Sequence, residues 1–205
     1  MARPAGLILD YGNVLSRPQD ERWFAPAARR VGASPAGLQA AYWRHRHDYD
    51  GGLPVADYWR RVLAESRPGH DGPLSGGDLA WLIRSDVESW VRYDEEVWRM
   101  AEEFHASGGR TACLSNSGPE VMARVRADHP LEACFDAVII SCEVGLSKPD
   151  PPIYRLCLER IALRASETIF VDDRADNIEG AAGVGLRTHL FDGPDALDRL
   201  RALLR

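Results

Sequence analysis

The chain has 205 residues, of which 45% are hydrophobic and 27% are charged, a balance typical of a globular protein with a sizeable core. Asp and Glu number 31 against 25 for Lys and Arg, and the resulting net charge of −6 argues against a nucleic-acid or anionic-membrane partner. No apolar run reaches the roughly 18 residues of a membrane span, and residues 1–6 lack the layout of a signal peptide. We therefore expect a cytoplasmic protein.

Lysine and asparagine are rare in this chain. Lys148 is the only lysine, and asparagine occurs only at Asn13, Asn116 and Asn177. A chain that otherwise uses arginine for its positive charges indicates a chemical role for Lys148, because a compact ammonium differs from a planar guanidinium. The four cysteines are scattered without a Cys-x-x-Cys pair, which predicts buried thiols and not zinc ligands.

Short apolar segments predict the strands of a parallel sheet. Five occur, at 6–10, 110–115, 137–141, 168–172 and, more weakly, 188–191. Helical patterns alternate with the later strands and begin near residues 94, 117, 150 and 175. This alternation predicts an α/β fold with a doubly wound parallel sheet, in which ligands bind at the carboxyl ends of the strands.

Residues 16–92 interrupt the alternation, because they contain at least three helical patterns and no convincing strand. We expect an α/β core formed by residues 1–15 and 93–205, with an α-helical cap over 16–92 inserted after the first strand. The insertion holds five of the six tryptophans. They either fill the core of a small helical bundle or, for one or two of them, line a substrate pocket at the junction.

Polar residues cluster at four strand ends. They are Asp10 with Gly12 and Asn13, Ser115 with Asn116, Lys148, and Asp172 with Asp173. In a doubly wound sheet these points converge on one crevice. Carboxylates gathered around a lysine and small polar groups are typical of a magnesium-assisted phosphoryl-transfer site, since Mg²⁺ prefers carboxylate and water oxygens.

The roles follow from this chemistry. Asp10 is the candidate nucleophile and metal ligand, and Asp173 and Asp172 are candidates to complete the oxygen shell of Mg²⁺. Ser115 and Lys148 are placed to bind the phosphoryl oxygens. The helix that begins after residue 118 is expected to direct its free amides toward the same anion.

The order of these residues resembles the haloacid dehalogenase (HAD) superfamily. The segments that carry the resemblance are Leu-Ile-Leu-Asp-Tyr-Gly-Asn-Val at 7–14, Leu-Ser-Asn at 114–116, Lys-Pro-Asp at 148–150 and Val-Asp-Asp-Arg-Ala-Asp-Asn-Ile at 171–178. The resemblance covers the chain outside 16–92, where this family places a mobile helical cap. It implies a HAD-like Rossmannoid core and an enzyme that hydrolyses phosphomonoesters.

The resemblance also implies site roles. Asp10 forms an aspartyl-phosphate, and the backbone carbonyl of Gly12 joins Asp10 and Asp173 around Mg²⁺. The phosphate is bound by Ser115, Asn116 and Lys148. The expected partner is a small phosphorylated metabolite, and nothing in the sequence indicates the oligomeric state.

One departure from the family concerns the mechanism. Family phosphatases usually carry a second Asp two residues after the nucleophile as general acid and base, and here that position is Gly12. General acid and base assistance is worth about two to four powers of ten, so another donor or an easy leaving group is expected. A branch with the same Asp-x-Gly-Asn-Val start, which includes bacterial α-D-glucose-1-phosphate phosphatases, resembles this chain, and it favours a sugar phosphate as substrate.

Two alternatives stay open. A weakly catalytic phosphosugar-binding or sensor protein is compatible with Gly12. A 2-haloacid dehalogenase is disfavoured, because those enzymes have Tyr at the position of Gly12 and Ser at the positions of Asp172 and Asp173, whereas an acidic pair predicts metal binding.

The run Arg-His-Arg-His-Asp at 44–48 lies in the insertion and predicts a solvated basic helix face, since histidines two residues apart point to different sides. One of His47, Tyr42 or Trp43 remains a candidate to reach the site, where it would contact the substrate or replace the missing acid.

Overall fold

In the computed structural model, which describes residues 3–67 and 74–205, five parallel strands form one sheet in the order β3-β2-β1-β4-β5. The strands are β1 (Gly6–Leu9), β2 (Arg110–Ser115), β3 (Ala137–Ile140), β4 (Thr168–Asp172) and β5 (Arg187–Leu190). Each coincides within a residue with a predicted apolar segment. The α/β fold with a doubly wound parallel sheet is therefore confirmed.

The helices follow the predicted starts, with several short additions. Those of the described residues are α1 (Phe24–Val31), α2 (Pro35–Asp50), α3 (Val55–Ser66), α4 (Gly76–Trp90), α5 (Glu95–Ala106), α6 (Pro119–Asp128), α7 (Leu131–Cys134), α8 (Ser141–Val144), α9 (Pro151–Ile161), α10 (Ala175–Gly183) and α11 (Ala196–Leu203). Ser34 caps α2 by accepting from the Gly37 amide, and Asp94 caps α5 by accepting from the Glu96 amide. Residues 1–2 and 68–73 of the predicted core and cap segments lie outside the described residues.

The side chains of β1 alternate between the two faces of the sheet. Leu7 and Leu9 join an apolar cluster with Val97 and Phe104 of α5, while Ile8 joins a second cluster on the other face with Ile153 of α9. All three β1 side chains are fully buried, and each such burial stabilises the fold by about 1.5–3 kcal/mol. Packing on both faces thus holds β1 in place, and with it Asp10, the residue that follows the strand.

Helices α1–α4 lie between β1 and β2 in the chain and pack around a separate apolar cluster. Trp23 and Trp59 are buried in this cluster, whereas Trp43 is 44% exposed. The segments that lead into and out of these helices run side by side, since Ser16 and Tyr93 form an antiparallel bridge. None of the helices in the described part of the chain is long and apolar enough to span a membrane.

The four cysteines are free thiols. Cys113 and Cys157 are buried as predicted, whereas Cys134 and Cys142 are only partly buried, so the prediction of buried thiols is wrong for these two.

Candidate active site

A cleft of about 420 Å³ lies at the carboxyl ends of the strands, between the sheet and helix α2. The predicted site residues that line it are Asp10, Gly12, Ser115, Asn116, Lys148 and Asp173. The sheet register explains this convergence, because Leu9 lies opposite Cys113 of β2 and Val171 of β4, so the next residues of each strand reach the same edge. All three asparagines of the chain line the cleft as well.

Asp10 is held at the end of β1 by its backbone and by one carboxylate oxygen. Its amide donates to the Val171 carbonyl at 3.0 Å, and its Oδ1 atom accepts from the Tyr11 amide at 2.7 Å and lies 2.8 Å from Lys148 Nζ. The Oδ2 atom is on the side of Gly12, where an added Cβ would stand 4.0 Å from it. The carboxylate therefore has its Oδ1 atom committed to two partners, while its Oδ2 atom lies on the side of Gly12, which lines the cleft.

Lys148 bridges two carboxylates beneath the cleft. Its Nζ atom lies 2.8 Å from Asp10 Oδ1 and 2.6 Å from Asp172 Oδ2, and the residue is 3% exposed. Burial lowers the pKa of Lys148, but the charges of Asp10 and Asp172 more than offset this, so its pKa lies above the ordinary value and the ammonium stays charged. Burial, aided by the charge of Asp172 and opposed by Lys148, raises the pKa of Asp10 to about 7.

Asp172 is fully buried and its hydrogen-bonding capacity is occupied. Besides Lys148, it accepts from the Arg174 amide at 2.9 Å and from Asn177 Nδ2. Asp173, one residue further, is half-buried, lines the cleft and accepts from Asn13 Nδ2 at 2.7 Å. Burial raises the pKa of the Asp173 carboxyl, and the hydrogen bond from Asn13 opposes this. The two neighbouring carboxylates thus have different surroundings.

Three carboxylates meet closely enough to share a cation. One oxygen each from Asp10, Asp172 and Asp173 lies within 4.8 Å of the others. Oxygen donors of this kind suit Mg²⁺. The buried Oδ1 atom of Asn13 has no hydrogen-bond partner among the described residues, which leaves a further acceptor beside Asp173.

Asn116 connects two loops of the site. Its Nδ2 donates to the Lys148 carbonyl at 2.8 Å, and its Oδ1 accepts from the Lys148 amide at 2.9 Å. Both ends of the side-chain amide are thus engaged with the backbone that carries the lysine. Ser115, at the end of β2, is 2% exposed and lines the cleft.

One face of α2 forms the opposite wall of the cleft. Trp43, Arg46, His47 and Asp50 recur at helical spacing and all line the cleft, together with Trp90 at the end of α4. The tryptophans therefore occupy both predicted kinds of position. Trp43 and Trp90 line the cleft, and Trp23 and Trp59 are buried in the core of the helical insertion.

The predicted solvated basic face at 44–48 is wrong for Arg46. This residue is 7% exposed, donates from Nε to Asp50 at 2.8 Å and from Nη1 to Tyr42, and packs over the Trp90 ring at 5.1 Å. Burial lowers the pKa of Arg46, and the carboxylates of Asp50 and Asp86 more than offset this. Burial raises the pKa of Asp50 to about 6 against the opposing charge of Arg46.

Comparisons with known proteins find relatives of this chain in sequence and in structure. A model of the haloacid dehalogenase-like hydrolases matches residues 36–185. The chain is 30% identical to sesquiterpene phosphatase astK of Aspergillus oryzae over 132 residues. This match covers 64% of this chain and 67% of astK. Over 108 residues it is 40% identical to acyl-CoA dehydrogenase family member 10 of Mus musculus, and this match covers 50% of the chain but only 10% of the mouse protein.

Solved structures share the whole fold. The HAD family enzyme bt-2542 of Bacteroides thetaiotaomicron, in complex with magnesium and inorganic phosphate, has a TM-score of 0.77 at 18% identity over 96% of this chain and 98% of that chain. The L-2-haloacid dehalogenase RSc1362 has a TM-score of 0.75 at 19% identity, and the match covers 100% of each chain. The protein belongs to the haloacid dehalogenase-like hydrolases, as the sequence motifs predicted.

Proposed function

We propose that this protein is a Mg²⁺-dependent phosphomonoesterase that acts on a small phosphorylated metabolite through an aspartyl-phosphate on Asp10. The observation that carries the proposal is the arrangement at the strand ends, where Asp10 and Asp173 line the cleft while Lys148 is held against Asp10 by the buried Asp172. A phosphatase with a related sequence and a magnesium and phosphate complex with a related fold support it.

The donor set fits Mg²⁺. Asp10 and Asp173, with the backbone carbonyl of Gly12, would hold the ion, and Asp172 would serve chiefly to position Lys148 because its oxygens are already bonded. When bound, the ion neutralises charge on the phosphoryl oxygens. This division of work between Asp172 and Asp173 is the part that the sequence left open.

The residues of the chain supply the rest of the chemistry. Oδ1 of Asp10 is fixed by Tyr11 and Lys148, so the same carboxylate is oriented before substrate arrives. Its attack on phosphorus forms the O–P bond as the bond to the leaving oxygen breaks, and water then hydrolyses the acyl phosphate. The Lys148 ammonium and the Ser115 hydroxyl, both of which line the cleft, would bind the phosphoryl oxygens.

A sugar phosphate is the substrate class that the cleft favours. Trp43 and Trp90 supply flat apolar surfaces, and Arg46, His47 and Asp50 lie beside them as hydrogen-bonding groups. A polyhydroxylated ring uses both kinds of contact, whereas a purely hydrocarbon leaving group would use only the tryptophan surfaces. We propose that residues 16–92 act as the cap that encloses this leaving group while the core residues 1–15 and 93–205 hold the phosphate.

The test is phosphate release from a panel of sugar phosphates, nucleotides and acyl phosphates, with and without Mg²⁺. The variant Asp10→Asn is compared with Asp198→Asn, which alters a carboxylate that is 80% exposed on α11. We expect Mg²⁺-dependent turnover that Asp10→Asn abolishes and Asp198→Asn leaves unchanged. Saturable binding without turnover would favour the sensor alternative, and metal-independent release of halide from 2-haloacids would favour a dehalogenase.

A further inference from the structure

The cleft has the strand ends with Asp10 on one side and helix α2 on the other. In-line phosphoryl transfer places the leaving oxygen on the side of phosphorus opposite to the attacking oxygen. Asp10 attacks from the sheet edge, so the leaving oxygen faces the wall formed by α2. A group on the protein that protonates this oxygen must therefore come from that wall, which carries three ionisable residues, Arg46, His47 and Asp50. Arg46 is buried and paired with Asp50.

Asp50 is committed to other contacts. Its Oδ1 atom accepts from Arg46 Nε at 2.8 Å, its side chain is 14% exposed, and its backbone carbonyl accepts from Ser141 Oγ at 2.5 Å. Protonating a leaving oxygen from this carboxyl would require the Arg46 contact to break. His47, in contrast, is exposed, and its imidazole makes no hydrogen bond or ion pair with any described residue.

The remaining charged groups along the cleft are also paired. Lys148 contacts Asp10 and Asp172, Asp173 accepts from Asn13, and Asp176 forms an ion pair with Arg174 at 2.6 Å. The charged groups that share the cleft with His47 are Arg46 and Asp50 on α2, Asp10 after β1, Lys148 before α9, and Asp173, Arg174 and Asp176 after β4. Among the described residues, the imidazole is the uncommitted proton carrier of this cleft.

We propose that His47 is the general acid and base of the reaction, an inference that rests on the proposed phosphatase function. In the first step Asp10 forms a bond to phosphorus, the bond from phosphorus to the leaving oxygen breaks, and that oxygen takes a proton from the His47 imidazolium. In the second step water attacks phosphorus, its proton passes to the neutral imidazole, and the bond to Asp10 breaks. Inorganic phosphate leaves, and both side chains return to their starting states.

The neighbouring histidine on the same helix provides a matched control. His45 lies two residues earlier, so it points away from the His47 side of α2, and its Nε2 atom is 3.0 Å from Glu65 of α3. It does not line the cleft. His45→Gln and His47→Gln therefore make the same chemical change on one helix, and only the second changes the wall of the cleft.

The experiment compares kcat/KM of His47→Gln, His45→Gln and the unaltered protein for p-nitrophenyl phosphate and for the best alkyl or sugar phosphate of the panel. p-Nitrophenolate leaves without a proton, so we expect His47→Gln to lower kcat/KM by about 10²–10⁴-fold for the alkyl or sugar ester and by less than about threefold for the nitrophenyl ester. A burst of p-nitrophenol is also expected, because hydrolysis of the acyl phosphate slows. His45→Gln should match the unaltered protein on both.

The outcomes separate the two proposals. Equal losses on both esters, or no loss on either, in a His47→Gln protein with an unchanged melting temperature would overturn the role of His47 while the phosphatase function stands. An unaltered protein that releases phosphate from none of the esters would overturn the phosphatase function and the His47 role with it.

Discussion

Asn177 donates from Nδ2 to both carboxylate oxygens of Asp172, at 2.9 and 3.1 Å. Asp172 in turn holds Lys148 at 2.6 Å, so the first turn of α10 sets the position of the lysine that contacts Asp10. The same arrangement is repeated on the other acidic residue, where Asn13 holds Asp173. Two asparagines thus orient two adjacent carboxylates toward different tasks, Asp172 toward the lysine and Asp173 toward the cleft.

The affinity for Mg²⁺ is expected to depend on the hydrogen bond from Asn13 to Asp173. Asn13 has a φ of 58°, which glycine adopts without strain, so Asn13→Gly removes the amide and keeps the backbone. Because such supporting bonds orient metal ligands, we expect Mg²⁺ to bind about 10–100-fold more weakly, as measured by titration calorimetry. The control is Ala162→Gly, at the other non-glycine residue of positive φ in the described chain. Equal affinity in both variants would show that Asp173 does not depend on this bond.

Lys148 is predicted to be required for stability as well as turnover. Lys148→Met leaves Asp10 and Asp172 buried without their cation, and such a loss costs about 3–5 kcal/mol of the free energy of unfolding. Urea denaturation at pH 8 measures it. The loss is expected to be smaller at pH 5, where protonation relieves the raised-pKa Asp10. Arg164→Met, at an exposed ion pair with Glu167, should leave the urea midpoint unchanged. A Lys148→Met protein as stable as this control would contradict the prediction.

The pKa of Asp10 predicts how stability depends on pH in the absence of Mg²⁺. Its folded-state pKa of about 7 lies above the ordinary value of 3.8, so the folded protein binds more protons there, and ionisation destabilises it as the pH rises from about 4 to 7. Asp10→Asn removes this cost, which is at most about 4 kcal/mol for a shift of this size. We expect the melting temperature of Asp10→Asn to exceed that of the unaltered protein at pH 8.

Melting temperatures at a lower pH and with Mg²⁺ test the same explanation. The advantage of Asp10→Asn should shrink toward pH 5, and Mg²⁺ should raise the melting temperature of the unaltered protein more than that of the variant, because the ion neutralises the carboxylate. An Asp10→Asn protein that melts lower than the unaltered one at pH 8 would mean that Lys148 compensates Asp10 fully.

The sequence predicted the sheet and most of the site because both depend on local patterns. An apolar segment of five or six residues that ends in a carboxylate is enough to locate β1 and Asp10, and the same holds for β4 and Asp172. The rarity of asparagine also indicates the cleft, since Asn13, Asn116 and Asn177 all follow strand ends and all line it.

Other features depend on packing that no local pattern encodes. The different surroundings of Asp172 and Asp173 follow from the alternation of side chains at the end of β4, and which face is buried is decided by the helices packed on it. Arg46 belongs to a run that is otherwise typical of a solvated surface, and it is buried because the rings of Tyr42, Tyr49 and Trp90 surround it.

The contact between Tyr49 of α2 and Gly118 predicts how the cleft depends on the position of α2. Tyr49 donates to Glu120 at 2.6 Å, and its ring lies so close to Gly118 that an added Cβ would stand 2.2 Å from ring carbons. The φ of Gly118 is −77°, which any residue adopts, so the effect of Gly118→Ala is purely steric. The methyl group would move Tyr49, and with it the α2 wall that carries His47. We expect kcat/KM to fall by about 100-fold, the effect of misplacing a wall by about 1 Å.

Two further variants separate the position of α2 from the hydrogen bond that holds it. Tyr49→Phe keeps the ring against Gly118 and removes only the hydrogen bond to Glu120. We expect this position of α2 to lose about 1 kcal/mol of stabilisation, which would lower kcat/KM by roughly fivefold. Gly76→Ala places a methyl group where no atom lies within 4 Å and should leave the kinetics unchanged. If Gly118→Ala behaved like Gly76→Ala, the contact of Tyr49 with Gly118 would not set the position of α2 in which the substrate reacts, and the prediction would be wrong.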